Sequence, residues 1–395
     1  MPPRYLPDPG PRALAVRLGA LATAGVPVRC RVYVGLHEPG ETSPPHAVVT
    51  HTIARHLAAG TTAALPRFTT SSSPMQRVYD AASLGRVDAI GGDMAVFPAD
   101  LASDLWSRVR ERSVDPDDRV TAADLLLRLG YQRHAADVLG MAQVDPRTHV
   151  FDPTTAVKQL AVLFWHPHRP ADLEALALRG ARDERLPADA RRAIALFVVV
   201  RNGRRGDDTP PLHEAAALAR ALPPADGLAR QSLHRALAFV PFLRGDVVET
   251  FRLLDLASRA QLEVRPTTAL DRLAWADHAF PLHETIARTH LRTGSPDRAV
   301  TASDELVSLA PHDHRTWAVR GDALLAARRW PEAVEAFDRA VALGGRPAAR
   351  AAFLRGWALD RLGRRADATD SYRLSHRIDP TVTATGSACT TSRPG

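Results

Sequence analysis

The sequence predicts a mainly α-helical protein, a solenoid of helical hairpins in series, preceded by a small α/β unit. Three observations lead to this prediction. Period-two alternation of apolar residues, which indicates strands, is found mainly in the first 98 residues and nearly vanishes after residue 100. After about residue 100, apolar residues follow helical spacing instead. In the last quarter of the chain, small and bulky residues recur at a nearly constant offset, which is typical of stacked hairpins.

The N-terminal segment, residues 1–98, mixes helix and strand signals. The predicted strands are 27–36 and 87–97, and the second is broken by Gly91 and Gly92. Glycine stops and a serine N-cap candidate delimit the helices. The predicted helices are 12–25, 46–59 and one that ends at Leu84. We therefore expect a small α/β unit, whose sequence resembles no family.

The middle segment, residues 99–279, predicts an irregular array of helices. Two stretches have the form of hairpins with a glycine at the turn, 120–144 and 232–257. Amphipathic helices are predicted over 171–201 and 212–222, with a linker over 201–211. At the other end of the chain, residues 381–395 are small and polar, which predicts a disordered tail.

The clearest pattern lies between Trp317 and Leu343. Small residues recur where two antiparallel helices must approach closely, namely at Gly321, Ala333 and Ala340. Bulky residues recur where the gap must be filled, namely at Trp317, Leu324, Trp330 and Phe337. This pattern resembles one tetratricopeptide repeat.

The same pattern reappears on both sides of this stretch. The positions 34 residues earlier are Ala287, Gly294 and Ala299, and Pro311 then closes the hairpin. The positions 35 residues later are Gly356, Ala368 and Tyr372, ending at Asp379-Pro380. Three repeats are therefore predicted over 280–380. The sequence departs from the family pattern at Arg328, where a turn glycine is usual, and at Gly345, where a proline is usual.

The resemblance implies that helix A of each repeat, the first of its two helices, lines a peptide-binding groove. Arginine predominates at the groove positions, with two aromatic residues at one end. Guanidinium groups pair with carboxylates or phosphates, and an exposed tryptophan anchors an apolar side chain. We therefore expect a protein or peptide ligand with an acidic or C-terminal segment; alternatively, the arginines are solvated and paired with neighbouring acids. The groove residues are Glu284, Arg288, Arg292, Arg315, Asp322, Arg350, Phe353, Trp357, Asp360 and Arg361.

The overall charge does not single out nucleic acid as the partner. The net charge is +7 over 395 residues, and the basic residues are interleaved with Asp and Glu. Of the 51 basic residues, Lys158 alone is lysine. Abundant arginine and alanine are typical of GC-rich coding sequence, so we expect a bacterial protein.

Cysteine usage and hydropathy predict a soluble, cytoplasmic protein that does not enter a membrane. Cys30 and Cys389 are the two cysteines and lie far apart, which predicts neither a disulfide framework nor a zinc knuckle. The N-terminus has no apolar stretch, and no span of 18 apolar residues occurs.

Sixteen histidines prompt a search for metal ligands. The candidates are His278, His283 and His290. His283 and His290 are seven residues apart on one helix, which separates them by about 10 Å along the axis, too far for one metal ion without another element between them. Both also occupy bulky positions of the repeat, so we interpret them as core residues and expect no metal and no cofactor.

Two hypotheses for function remain open. The first is an interaction scaffold. No polar capping helix follows Pro380, so the last repeat is expected to expose apolar surface, either for self-association or for a docking partner. The second is an enzyme of specialised metabolism, with the repeats holding a peptide or carrier-protein substrate. Its reaction centre would lie in the N-terminal unit, although no catalytic motif is present. The residues to test are His51, His56, Asp88 and Asp93.

Overall fold

The computed structural model describes residues 116–129, 132–141, 144–165, 172–310, 313–342 and 348–379. Within these ranges the chain is helical and contains no strand. Among the described helices, none is both long and apolar enough to cross a membrane. The predicted α/β unit of residues 1–98 and the predicted tail of residues 381–395 lie outside the described residues.

The chain divides into two compact units, and the first contains the described residues up to Leu282. Successive helices pack in pairs, as α1 does with α2 and α4 with α5. The helices are α1 (Pro116–Leu129), α2 (Gln132–Val138), α3 (Ala156–Trp165), α4 (Leu173–Arg182), α5 (Ala188–Arg205), α6 (Pro210–Ala221), α7 (Gly227–Leu237), α8 (Phe239–Leu243) and α9 (Val247–Glu263). The next helix, α10 (Ala269–Arg292), runs from the first unit into the second.

The helical character of the first unit was predicted, but α3 was not among the predicted helices, and two boundaries were wrong. The predicted helix over 171–201 is two helices, because the chain turns at residues 183–187, where Pro187 precedes α5. The predicted linker over 201–211 is much shorter, since α5 continues to Arg205 and ends at Gly206, which adopts a positive φ of 82°.

The second unit contains the described residues from His283 to Asp379. After α10 it consists of α11 (Pro296–Leu309), α12 (His314–Ala326), α13 (Trp330–Ala342), α14 (Ala348–Arg361) and α15 (Arg365–Ile378). From α11 onward, each helix packs against the next. The buried interior combines alanines with large side chains such as Trp317, Leu324 and Phe337.

Close helix approach confirms the predicted repeat pattern. A Cβ atom at Gly321 would lie 2.4 Å from the ring of Phe337. The equivalent atom at Gly356 would lie 2.6 Å from the ring of Tyr372. Both distances are far below van der Waals contact. Glycine therefore fits best where helix A meets the ring from helix B, the second helix of the repeat.

An ion pair recurs at the junctions between repeats. Arg320 on α12 pairs with Asp304 on α11. One repeat later, Arg355 on α14 pairs with Asp338 on α13 at 2.8 Å. These pairs join helix B of one repeat to helix A of the next at equivalent positions, which supports the predicted period.

The outer face of α15 is polar, contrary to the expectation that the last repeat exposes apolar surface. Its exposed side chains are charged or polar except for Ala366. Arg365, Arg373 and Arg377 are among them. The polar character of a capping helix is therefore already present in α15, and self-association through an apolar end is not supported by this helix.

The turn between helices A and B requires a left-handed residue in each repeat. Gly294 and Gly363 have φ values of 74° and 75°, and Arg328 at the equivalent position has a φ of 60°. The left-handed conformation is unfavourable for a residue with a Cβ atom.

Replacing Arg328 with glycine should therefore stabilise the protein. We expect Arg328→Gly to raise the free energy of unfolding by about 0.5–1 kcal/mol, because relief of the left-handed strain exceeds the added entropy of the unfolded chain. Urea denaturation measures this change. Gly294→Ala is the matched control and should lower the free energy of unfolding. A destabilised Arg328→Gly variant would contradict the strain argument.

Candidate functional site

The candidate site is the set of ten predicted groove residues, which we call the helix-A face. All ten lie on the helices that begin each repeat, α10, α12 and α14. Five are arginines and three are acids, so the excess of positive charge is smaller than the number of arginines suggests. The contacts of each arginine decide which guanidinium groups can reach a ligand.

Arg288 is paired with a buried acid on its own helix. Its Nε donates to Oε1 of Glu284 over 3.2 Å, one helical turn away. The Glu284 side chain is 4% exposed, whereas that of Arg288 is 48% exposed. The carboxylate is thus shielded while about half of the guanidinium side chain faces solvent.

Arg350 forms a similar pair across two repeats. Its two terminal nitrogens donate to the two carboxylate oxygens of Asp322 over 3.1 and 3.2 Å, in a bidentate arrangement. The Asp322 side chain is 14% exposed and that of Arg350 is 56% exposed. This pair joins α12 to α14, with the cation again on the solvent side.

Arg315 differs from these two arginines because it is committed to local structure. Asp313 caps α12 by accepting the backbone N–H of Arg315, and its carboxylate also binds the Arg315 side chain at 2.6 and 3.1 Å. The two side chains are 1% and 16% exposed. We therefore interpret Arg315 as a structural residue rather than a ligand contact.

The aromatic end of the helix-A face is packed against neighbouring side chains. Trp357 meets Trp330 edge to face at 5.6 Å, and the guanidinium of Arg361 lies 5.1 Å from the centre of the Trp357 ring. Phe353 contacts the ring of Tyr372 at 5.4 Å. Trp357 and Phe353 are half-buried rather than open anchors.

Tyr372 also holds an acid of the helix-A face. Its hydroxyl donates to Oδ2 of Asp360 over 2.7 Å. Burial, followed by this bond to a carboxylate, raises the pKa of the Tyr372 hydroxyl well above its usual value. The hydroxyl therefore remains a proton donor to Asp360 at neutral pH.

The three histidine candidates are half-buried. Burial is the main factor that lowers the pKa of His283 and of His290. His278 is linked through Nδ1 to the Ser232 hydroxyl at 2.8 Å. Among the described residues, no group of three or more His, Cys, Asp or Glu side chains is arranged to hold a metal ion. The enzyme candidates His51, His56, Asp88 and Asp93 lie outside the described part of the chain.

Sequence reasoning missed one residue that shapes this site, Asp313, and the contacts of two residues that it had placed at bulky repeat positions. The sequence contains a signal for Asp313 as an N-cap, because an aspartate directly precedes a helical pattern. The contacts of Trp330 and Tyr372 had no comparable signal, since they join residues from different helices.

A family comparison agrees with the repeat packing. Two overlapping stretches, residues 285–346 and 319–382, match a family model described as tetratricopeptide repeat. This segment of the chain is therefore built of tetratricopeptide repeats. The function class that such repeats support is a protein-interaction scaffold.

Solved structures similar to this chain include other repeat proteins. MamA AMB-1 is 17% identical, with 48% of this chain and 98% of that chain covered and a TM-score of 0.34. A human IFIT1 dimer with PPP-AAAA is 11% identical, with 90% and 76% covered and a TM-score of 0.45. The TPR2AB domain of yeast Sti1, in a pHSP90 complex, is 16% identical, with 69% and 94% covered and a TM-score of 0.25. Comparison with curated proteins gave no match. At such low TM-scores, the assignment rests on the family model and on the packing of residues 283–379.

The surroundings of His278 predict a pH-dependent stability. Burial lowers the pKa of His278 to about 4, from an ordinary value of 6.5; Asp277 and Asp226 oppose this shift, and Arg235 and Lys158 add to it. Because the unfolded chain then takes up the proton first, stability is lost as the pH falls from 6.5 through about 4.

The His278→Gln variant should lose less stability in acid than the unmodified protein. We expect His278 to account for a loss of roughly 2 kcal/mol between pH 7.5 and pH 5. Urea denaturation at both pH values measures the difference. His376→Gln, at an exposed position of α15, is the control variant. Equal pH dependence in the unmodified protein and His278→Gln would show that His278 is not responsible.

Proposed function

We propose that the protein is an interaction scaffold whose helix-A face binds an acidic peptide segment, including one that ends in a free carboxylate. The observation that carries this proposal is the pair of half-exposed guanidinium groups on Arg288 and Arg350, each resting on a shielded carboxylate. Arg292 and Arg361 add two further exposed cations to the same set of helices.

The burial of the acids favours an acidic rather than a basic ligand. The side chains of Glu284 and Asp322 are only 4% and 14% exposed, so the groups that an incoming peptide meets first are the guanidiniums. A guanidinium has five N–H donors in a planar fork. Arg288 uses one of them for Glu284 and Arg350 uses two for Asp322. The remaining donors suit a ligand carboxylate, which accepts charge-assisted hydrogen bonds.

The aromatic end supports a peptide ligand with an apolar side chain near its acidic residues. Phe353 and Trp357 are half-buried, and Trp357 adjoins the exposed Arg361. An apolar group next to these rings would be removed from water, while a carboxylate of the same peptide engages an arginine. The enzyme hypothesis depends on residues outside the described part of the chain, and no feature of the described helices favours it.

Binding of an acidic peptide provides the test of this function. The probe is fluorescein-labelled hexaglutamate, with labelled hexaglutamine as the uncharged comparison, and fluorescence anisotropy at low salt measures the dissociation constant. We expect Arg288→Ala and Arg350→Ala each to weaken hexaglutamate binding about fivefold, which corresponds to about 1 kcal/mol for a charge-assisted contact at a surface.

Arg298→Ala is the matched control, because Arg298 is an exposed arginine on α11, outside the helix-A face. Its removal lowers the net charge equally and should change the affinity by much less. If all three substitutions weakened binding equally, the binding would be explained by general charge attraction and not by the helix-A face. The absence of hexaglutamate binding by the unmodified protein would refute recognition of acidic segments.

A further inference from the structure

Two acids of the helix-A face are placed where a ligand cannot readily reach them. Glu284 lies beneath Arg288, and Asp322 lies beneath Arg350. A buried carboxylate loses its hydration and requires a compensating partner. Each of these acids has as a partner a guanidinium whose remaining surface faces solvent. The acid can therefore influence a ligand through the arginine that it binds.

The two contacts orient their arginines in different ways. Glu284 binds Nε of Arg288, which leaves both terminal nitrogens of that guanidinium outside this contact. Asp322 binds both terminal nitrogens of Arg350 from one side, which fixes the plane of the guanidinium as well as its position. In both cases a long side chain with many rotamers is held in one place before any ligand arrives.

We infer that Glu284 and Asp322 are positioning residues, which hold Arg288 and Arg350 with their outer N–H groups directed toward a ligand carboxylate. This inference rests on the proposed function of the helix-A face. An arginine that is already ordered loses less conformational freedom on binding, whereas the need to order one such side chain weakens binding roughly two- to tenfold. The acids thus strengthen the binding of an acidic ligand although they carry the same charge as it.

The direction in which hexaglutamate affinity changes when an acid is neutralised distinguishes positioning from simple charge repulsion. Removal of a negative charge by itself should strengthen the binding of hexaglutamate, since fewer like charges remain nearby. Loss of positioning should weaken it. The neutral, nearly isosteric substitutions Glu284→Gln and Asp322→Asn produce both effects together, so a control that changes the charge alone is required.

Glu305→Gln provides that control, because Glu305 is an exposed acid on α11 outside the helix-A face. We expect Glu284→Gln and Asp322→Asn to bind hexaglutamate roughly two- to tenfold more weakly than Glu305→Gln, as measured by anisotropy. The difference should persist at about 0.5 M NaCl, where charge effects are screened. Asp322→Glu, which keeps a carboxylate, should recover part of the loss. Affinity equal to or higher than that of Glu305→Gln would overturn the positioning role and leave the proposed function intact.

A second measurement does not depend on any ligand. Phenylglyoxal modifies accessible arginines, and peptide mass spectrometry gives the rate at each site. Arg288 should react at least about twofold faster in Glu284→Gln, and Arg350 likewise in Asp322→Asn, because a released guanidinium is more accessible. Arg298 is the internal control and should react at the same rate in all variants. Unchanged rates at Arg288 and Arg350 would refute positioning even if hexaglutamate binds, whereas faster rates without hexaglutamate binding would refute the proposed ligand alone.

Discussion

The close approach of α12 to α13 and of α14 to α15 is the constraint on which most of the second unit depends. Gly321 and Gly356 each receive an aromatic ring from helix B at distances that admit no Cβ atom. Dense packing of this kind leaves the two helices one relative position, because a shift in either direction produces a clash or a void. The position of helix A then determines which residues belong to the helix-A face.

Acidic and basic groups of the helix-A face lie at different depths below the surface. Shielded carboxylates of Glu284 and Asp322 lie beneath half-exposed guanidiniums, while Arg315 is committed to the cap of α12. A guanidinium at the solvent boundary satisfies a buried acid and still offers donors to a ligand, since it has more N–H groups than one carboxylate can accept. Two interpretations of Arg288 and Arg350 were considered: that they pair with neighbouring acids, and that they contact a ligand. The two are therefore compatible.

Sequence patterns predicted the helices and turns more completely than they predicted the contacts between helices. The offset of 34 or 35 residues located the small positions, the ring positions and the left-handed turn that Arg328 occupies. The polar outer face of α15 was also readable, because Arg365, Arg373 and Arg377 recur at helical spacing, but the expectation of a missing cap obscured it. The division of the predicted helix over 171–201 was missed, since no glycine marks the turn before Pro187.

The spacing of small and bulky residues was sufficient to establish the hairpin repeats, because helix periodicity and close packing act over a few turns of one chain segment. The roles of the arginines could not be obtained in this way. Asp322 and Arg350 are 28 residues apart, and their contact exists because α12 and α14 lie side by side. Burial of Glu284 likewise depends on its neighbours in the fold. Spacing along a chain specifies which helix face a residue occupies, whereas the depth of a charge and its partner depend on all the helices that surround it.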